Sequence, residues 1–129
     1  MAQVKIFALR RSLENARAAI SQAIHSSVME ALEYPLEKRF HRFIALDQED
    51  FIYPQDRSER YIIIEISIFE GRSIEAKKML IRLLYERIPE LSGISTQDIE
   101  ITIFETPRYN WGIRGMPGDE IGLNYKVEV

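Results

Sequence analysis

One short signal occurs twice in the chain, Ser12-Leu13-Glu14 and Ser73-Ile74-Glu75, each time just after an alternating apolar segment. Serine caps exposed helix-start amides, so both sites predict a strand running into a helix. After Ser12 the apolar residues Leu13, Ala16, Ile20, Ala23, Ile24, Val28, Ala31 and Leu32 recur at helical spacing up to Pro35. A strand over 39–46 follows. The second half repeats the order: an isoleucine-rich strand over 61–69, a helix capped by Ser73, and a strand over 98–105. Two successive β-α-β units constrain the fold, because right-handed crossovers deliver both helices to the same face of one four-stranded sheet. The expected class is therefore α/β (α+β), one domain over 1–129 with pseudo-repeats at about 2–60 and 61–129. At 129 residues the chain holds a single core.

Between the repeats, the acidic, proline-containing stretch 47–60 reads as a connection with a short β-arm at 51–53. Pro89 is expected to end or kink the second helix near Ile88, with Leu91-Ser92-Gly93 as its exit turn. The glycine-rich tail 111–129 predicts a tight hairpin whose last strand covers about 124–129. With both helices on one face, the other face of the sheet stands uncovered. The strand over 61–69 is apolar on both faces for much of its length, which points to oligomerisation through the sheet.

Composition narrows the function classes. There are no cysteines and only two histidines, His25 and His41, which removes disulfides, thiolate zinc sites and histidine-rich metal clusters. No cofactor is called for. A net charge of −3 lacks the basic footprint of a nucleic-acid binder. No run approaches the roughly 20 apolar residues that span a bilayer, and the first residues lack the apolar core of a secretion signal. The expectation is a cytoplasmic protein with no membrane or nucleic-acid partner.

The residue types that remain able to do chemistry are few. Arg72 immediately precedes the Ser73 cap, where a guanidinium and helix-start amides together suit a carboxylate. Arg39, Arg42, Arg108 and Arg114 are further candidates for that pocket, against surface or intersubunit ion pairs. Trp111 serves either as a pocket wall or as packing for the hairpin. His25 and His41 read as structural. Glu37, Glu65 and Glu70 are carboxylates able to polarise a water or steady a protonated amine, and Glu65, on an apolar strand, needs a partner if buried.

The stretches Phe69-Glu70-Gly71-Arg72-Ser73, Gly93-Ile94-Ser95-Thr96-Gln97-Asp98 and Trp111-Gly112-Ile113-Arg114-Gly115-Met116, in this order on a repeated β-α-β frame, resemble the tautomerase superfamily, and within it the malonate semialdehyde decarboxylase branch. The resemblance covers nearly the whole chain. It implies a homotrimer whose amino-terminal proline acts as a general acid or base on keto and enol acids. It also implies that Arg72 binds the substrate carboxylate and that Trp111 lies in the active site. Here Ala2 stands where the proline is expected, Glu70 replaces a companion arginine, and Lys38, with Glu37 beside it, aligns with the branch's acidic residue.

Ala2 still admits chemistry. A small second residue favours removal of the initiator methionine, which leaves a primary α-amine of ordinary pKa about 7.7 to 8.0, lowered by burial or nearby arginines. Three readings follow. The first is a tautomerase-like enzyme acting on a small keto or enol carboxylate, with Ala2 as acid or base, Arg72 and Arg39 binding substrate and Trp111 as wall. The second is a catalytically silent trimeric binding protein that keeps an anion pocket, and the third a purely structural trimer.

Overall fold

Alternation of buried and half-exposed residues, visible in the sequence as isoleucines at every second position, sets the strands. The computed structural model describes residues 1–129. In chain order it contains β1 (Ala2–Leu9), α1 (Arg10–Leu13), α2 (Arg17–Leu32), β2 (His41–Leu46), β3 (Ile62–Phe69), α3 (Ile74–Ser92), β4 (Ile99–Thr106), β5 (Gly112–Ile113) and β6 (Met116–Pro117). The four long strands form one sheet in the order β2-β1-β3-β4. Each β-α-β unit is internally parallel, β1 with β2 and β3 with β4, and the two units meet antiparallel along β1 and β3. No helix is long and apolar enough to cross a membrane.

Val4, Ile6, Ala8, Ile62, Ile64, Ile66 and Ile68 are buried on the helix side, in one cluster with Ile20, Ile24, Leu80, Leu84 and Ile88 of α2 and α3. Each fully buried isoleucine contributes roughly 1.5 to 3 kcal/mol, so this layer dominates the stability. On the opposite face, Phe7 lies in register with Ile44 and Ile63, and Lys5 with Arg42 and Glu65. The charge expected to need a partner, Glu65, thus stands opposite a lysine on a half-exposed face. Ile64 and Ile66 point at the helices, so the apolar residues of the uncovered face include Phe7, Ile44, Leu46, Ile63 and the exposed Phe104.

Several expected details differ. Ser12 does not cap the first helix. The chain leaves β1 directly into the single turn α1, reverses at Asn15 (φ 62°), and restarts as α2 behind Ala16, with no side-chain cap. The Ser12 hydroxyl instead donates to the Glu59 carbonyl at 2.5 Å. Ser73 does cap α3, accepting from the Ala76 amide at 3.1 Å. That helix runs through Pro89 to Ser92, because a proline in the last turn forfeits only one helical bond. Gly93 (φ 77°) then closes it, donating to the Pro89 carbonyl at 2.8 Å.

The expected arm at 51–53 forms no strand. Phe51 packs on Leu9 and Tyr61 instead, and the connection is tied to the start of β4 by Ser58, whose amide donates to the buried Asp98 carboxylate at 2.7 Å. The hairpin is only β5 with β6, joined by Arg114 (φ 48°) and Gly115 (φ 88°), the two positive-φ residues of a type I′ turn. The strand expected at 124–129 is absent. That segment spends its apolar residues, Tyr125 and Val127 among them, on Phe69 and Ile113 rather than on pairing.

Candidate active site at the amino-terminal end of the sheet

Antiparallel pairing of β1 with β3 sets Ala2 opposite Ile68, so the first residues of the chain lie beside the turn that leaves β3. In that turn Gly71 has φ 129°, and a Cβ there would stand 3.0 Å from Val127 Cγ1. Glycine is needed twice over, for the backbone angle and for the approach of the tail. The next residue, Arg72, is only 4% exposed. Its Nη1 donates to the Phe69 carbonyl at 3.2 Å, while Nε and Nη2 are buried without an acceptor. The Tyr125 hydroxyl is the nearest polar group facing this guanidinium, with Tyr34 and Glu128 beside it, but no acceptor meets hydrogen-bond geometry at Nε or Nη2. Burial pushes its pKa below the ordinary guanidinium range. Unsatisfied buried donors are costly, and two neighbouring N–H groups of one guanidinium match the two oxygens of a carboxylate.

The α-amine of Met1 donates to the Tyr125 hydroxyl, and the Ala2 amide donates to the Tyr34 hydroxyl at 3.1 Å. The two tyrosine rings meet edge to face with centroids 5.0 Å apart. Burial, reinforced by Arg72, Lys38 and Arg108, pushes the amine down to about 4 from its ordinary 8.0. It is therefore a free base at neutral pH, able to take up a proton from a bound molecule. Burial raises both tyrosines above the usual phenol range, so their hydroxyls stay protonated. Lys38 Nζ lies 5.8 Å from the centre of the Tyr125 ring.

Trp111 meets Phe69 edge-on at 5.0 Å and closes one side of this region. The structure thus brings Ala2, Arg72, Trp111 and Lys38 together. Arg39 is not among them: its guanidinium lies on α2, 3.3 Å from Gln22 Oε1 and 3.5 Å from Ser21 Oγ. Arg42 reaches Gln3, and Arg114 is spent at the exposed hairpin turn. Glu70 is exposed, and Glu37 accepts from the Asn124 amide at 3.2 Å. His25 is buried against the Leu36 carbonyl at 2.7 Å. His41 bonds Ser21 at 2.7 Å and is pushed down to about 4 by burial, His25 and Arg39. The largest open cleft, about 530 Å³ beside Arg11 and Arg60, lies at the other end of the sheet. Sequence reasoning missed Tyr34 and Tyr125: the first follows the helical stripe, the second falls within the strand expected at 124–129, and they meet only through the tertiary fold.

Comparison with known proteins bears on this geometry. A family described as "Tautomerase enzyme" matches residues 38–114. The 2-hydroxymuconate tautomerase of Comamonas testosteroni is 34% identical over 58 residues, which is 45% of this chain and 92% of that protein. Among solved structures, FG41 malonate semialdehyde decarboxylase inhibited by 3-bromopropiolate superposes with a TM-score of 0.74 at 27% identity, over 85% of this chain and 87% of that one. A fused 4-OT, solved as a symmetric trimer, gives a TM-score of 0.78 at 17% identity, over 91% and 96% of the two chains.

Proposed function

The chain belongs to the tautomerase enzyme family, and from that premise we propose that it moves a proton on a small keto or enol carboxylate held by Arg72. The observation that carries this reading is the juxtaposition of a free-base α-amine with a buried guanidinium that has two unpaired donors. A carboxylate entering between them accepts from Nε and Nη2 and relieves the unsatisfied charge. The amine then takes the enol hydroxyl proton as the double bond shifts, and the resulting ammonium returns a proton to carbon, leaving the enzyme unchanged. Arg72 and Lys38 favour the neutral amine between turnovers, and Trp111 walls the reacting carbon from water.

Which residue supplies the amine depends on processing. With Met1 retained it is the group at Tyr125. With Met1 removed it is that of Ala2, whose nitrogen already lies 3.1 Å from the Tyr34 hydroxyl. The apolar strip Phe7, Ile44 and Ile63 supports assembly through the uncovered face into a homotrimer, the assembly state in which the fused 4-OT was solved. A second reading, an anion-binding protein without turnover, is favoured by the primary amine standing in place of a ring nitrogen.

The test begins with the intact mass, which identifies the amine, and light scattering, which is expected to give three times the 15.1 kDa chain mass. Ultraviolet assay with 2-hydroxymuconate then follows loss of the dienol. Turnover abolished by reductive methylation of the α-amine supports the enzyme. A thermal shift with the same acid but no turnover selects the binding protein, and neither result removes Arg72 as a carboxylate site.

A further inference from the structure

Arg108 was grouped above with the arginines that compete for the anion pocket, but its guanidinium is committed elsewhere. Nε and Nη2 donate to the Gly118 carbonyl at 3.0 and 2.9 Å, and Nη2 also donates to the Ile121 carbonyl at 3.1 Å. Its flat face lies 5.5 Å from the centre of the Phe69 ring. Gly118 is locked from the other side as well: its amide donates to the Trp111 carbonyl at 2.6 Å, and a Cβ there would stand 2.6 Å from the Arg108 carbonyl. Only glycine fits such an approach. The two residues therefore form a clasp at the root of the tail, where the chain leaves the β5–β6 hairpin.

Beyond the clasp Ile121, Leu123 and Tyr125 pack against the cluster of Phe69, Ile113 and Val127, on which Met1 and Trp111 also pack. Its other polar ties are Asn124 with Glu37 and Ser73 with the Val129 carbonyl, both nearer its far end. Tyr125, whose hydroxyl meets the α-amine, sits between these anchors.

We propose that Arg108 is a positioning residue, not a substrate ligand: it clasps the tail at Gly118 and Ile121 and so holds Tyr125 over the α-amine. The proposal rests on the reading that this amine, that of the protein retaining Met1, is the centre of the site, and its test needs no turnover. The groups facing the amine are Tyr34, Lys38, Arg72, Tyr125 and Arg108, with Glu128 opposite Arg72. Arg108→Lys keeps a positive charge but loses the planar fork whose Nε and Nη2 together hold the Gly118 carbonyl while Nη2 reaches Ile121, and Gly118→Ala breaks the clasp with Arg108 intact. A rise in the amine's titration midpoint in both variants therefore reports lost burial rather than lost charge.

The measurement is the pH midpoint of α-amine labelling, read by mass spectrometry, together with hydrogen exchange of 119–129. Both variants are expected to raise the midpoint by about one unit or more, toward the ordinary α-amine range. Exchange in the tail is expected to rise about tenfold or more while β1 and β3 keep their protection. Faster tail exchange with an unmoved midpoint overturns the proposal, because the clasp would then serve the tail alone. So does a midpoint and tail unchanged in either variant, or loss of sheet protection in both, which would make the clasp part of the core. Failure of the acid to turn over, with these shifts present, refutes the proposed reaction and leaves the clasp standing.

Discussion

Arg11-Ser12-Leu13-Glu14 and Arg72-Ser73-Ile74-Glu75 occupy the same place in the two β-α-β units, yet they do different things. Arg11 is half exposed and paired with Glu59 at 3.1 Å beside an open cleft. Arg72 is buried with two nitrogens unpaired. The cause lies in the direction of the strands. Because β1 and β3 are antiparallel, the end of β3 meets the start of β1, where there is an α-amine, whereas the end of β1 meets the start of β3, where the chain is an ordinary peptide. One tetrapeptide pattern thus becomes a buried guanidinium with two unpaired nitrogens, the proposed anion clamp, in one half and a surface ion pair in the other. What differs is the partner and the cover, not the arginine.

The largest break in this comparison is expected from Arg72→Met against Arg11→Met. The first should weaken binding of a small carboxylate by about ten- to a hundredfold, the value of a charge-assisted hydrogen bond of roughly 1.5 to 3 kcal/mol. The second should change it by less than about twofold, since exposed ion pairs contribute little. Isothermal titration reads both, and equal losses would erase the distinction. Without ligand, Arg72→Met should melt at the same temperature or higher, because it removes two unsatisfied buried donors.

Next comes pH. With Met1 retained, the unfolded α-amine binds a proton below about 8 and the folded one only below about 4. Unfolding therefore takes up a proton between these values, and stability should fall as the pH drops through that window. His41 adds to the fall only from about 6.5 to about 4. Urea titrations at pH 8 and 6.5 thus separate the amine from the histidine, and α-acetylation should flatten that interval. A stability that rises on acidification from 8 to 6.5 would contradict the buried amine.

Smaller effects test the helix entries. Ser73→Ala should cost about 1 kcal/mol through the lost cap, and Ser12→Ala about half of that or less, since its hydroxyl only reaches an exposed carbonyl. Calorimetric melting that reversed this order would restore symmetry between the halves. The smallest change is expected at Asn15. Glycine there should be neutral to within about 0.5 kcal/mol, because glycine adopts the left-handed conformation freely and asparagine tolerates it.

The parts of the fold written in local pattern could be read from the sequence: the alternation of β3, the helical stripe of α2, the Ser73 cap and the glycine exit at Gly93. Arg72 and Trp111 could also be marked, because they lie in stretches that resemble family motifs. Ser12 misled because a cap signal is local, whereas the break at Asn15 follows from how β1 enters the helix layer. The strand expected at 124–129 misled for a similar reason: an alternating tail pairs only if a sheet edge is offered, and here Phe69 and the Gly71 turn offer an apolar seat instead. Tyr34 and Tyr125 lie in no family motif, and their meeting is a product of tertiary structure alone.

The antiparallel seam between the units has a consequence for the proposed chemistry: if the α-amine is the reacting group, the number of reactive centres follows the number of free chain starts, not the number of arginines. A polypeptide nicked between Arg60 and Tyr61 would carry a second α-amine at the head of β3, next to the cleft lined by Arg11 and Arg60. In the continuous chain that nitrogen is an amide, and no side chain beside it need differ for the position to lack an amine.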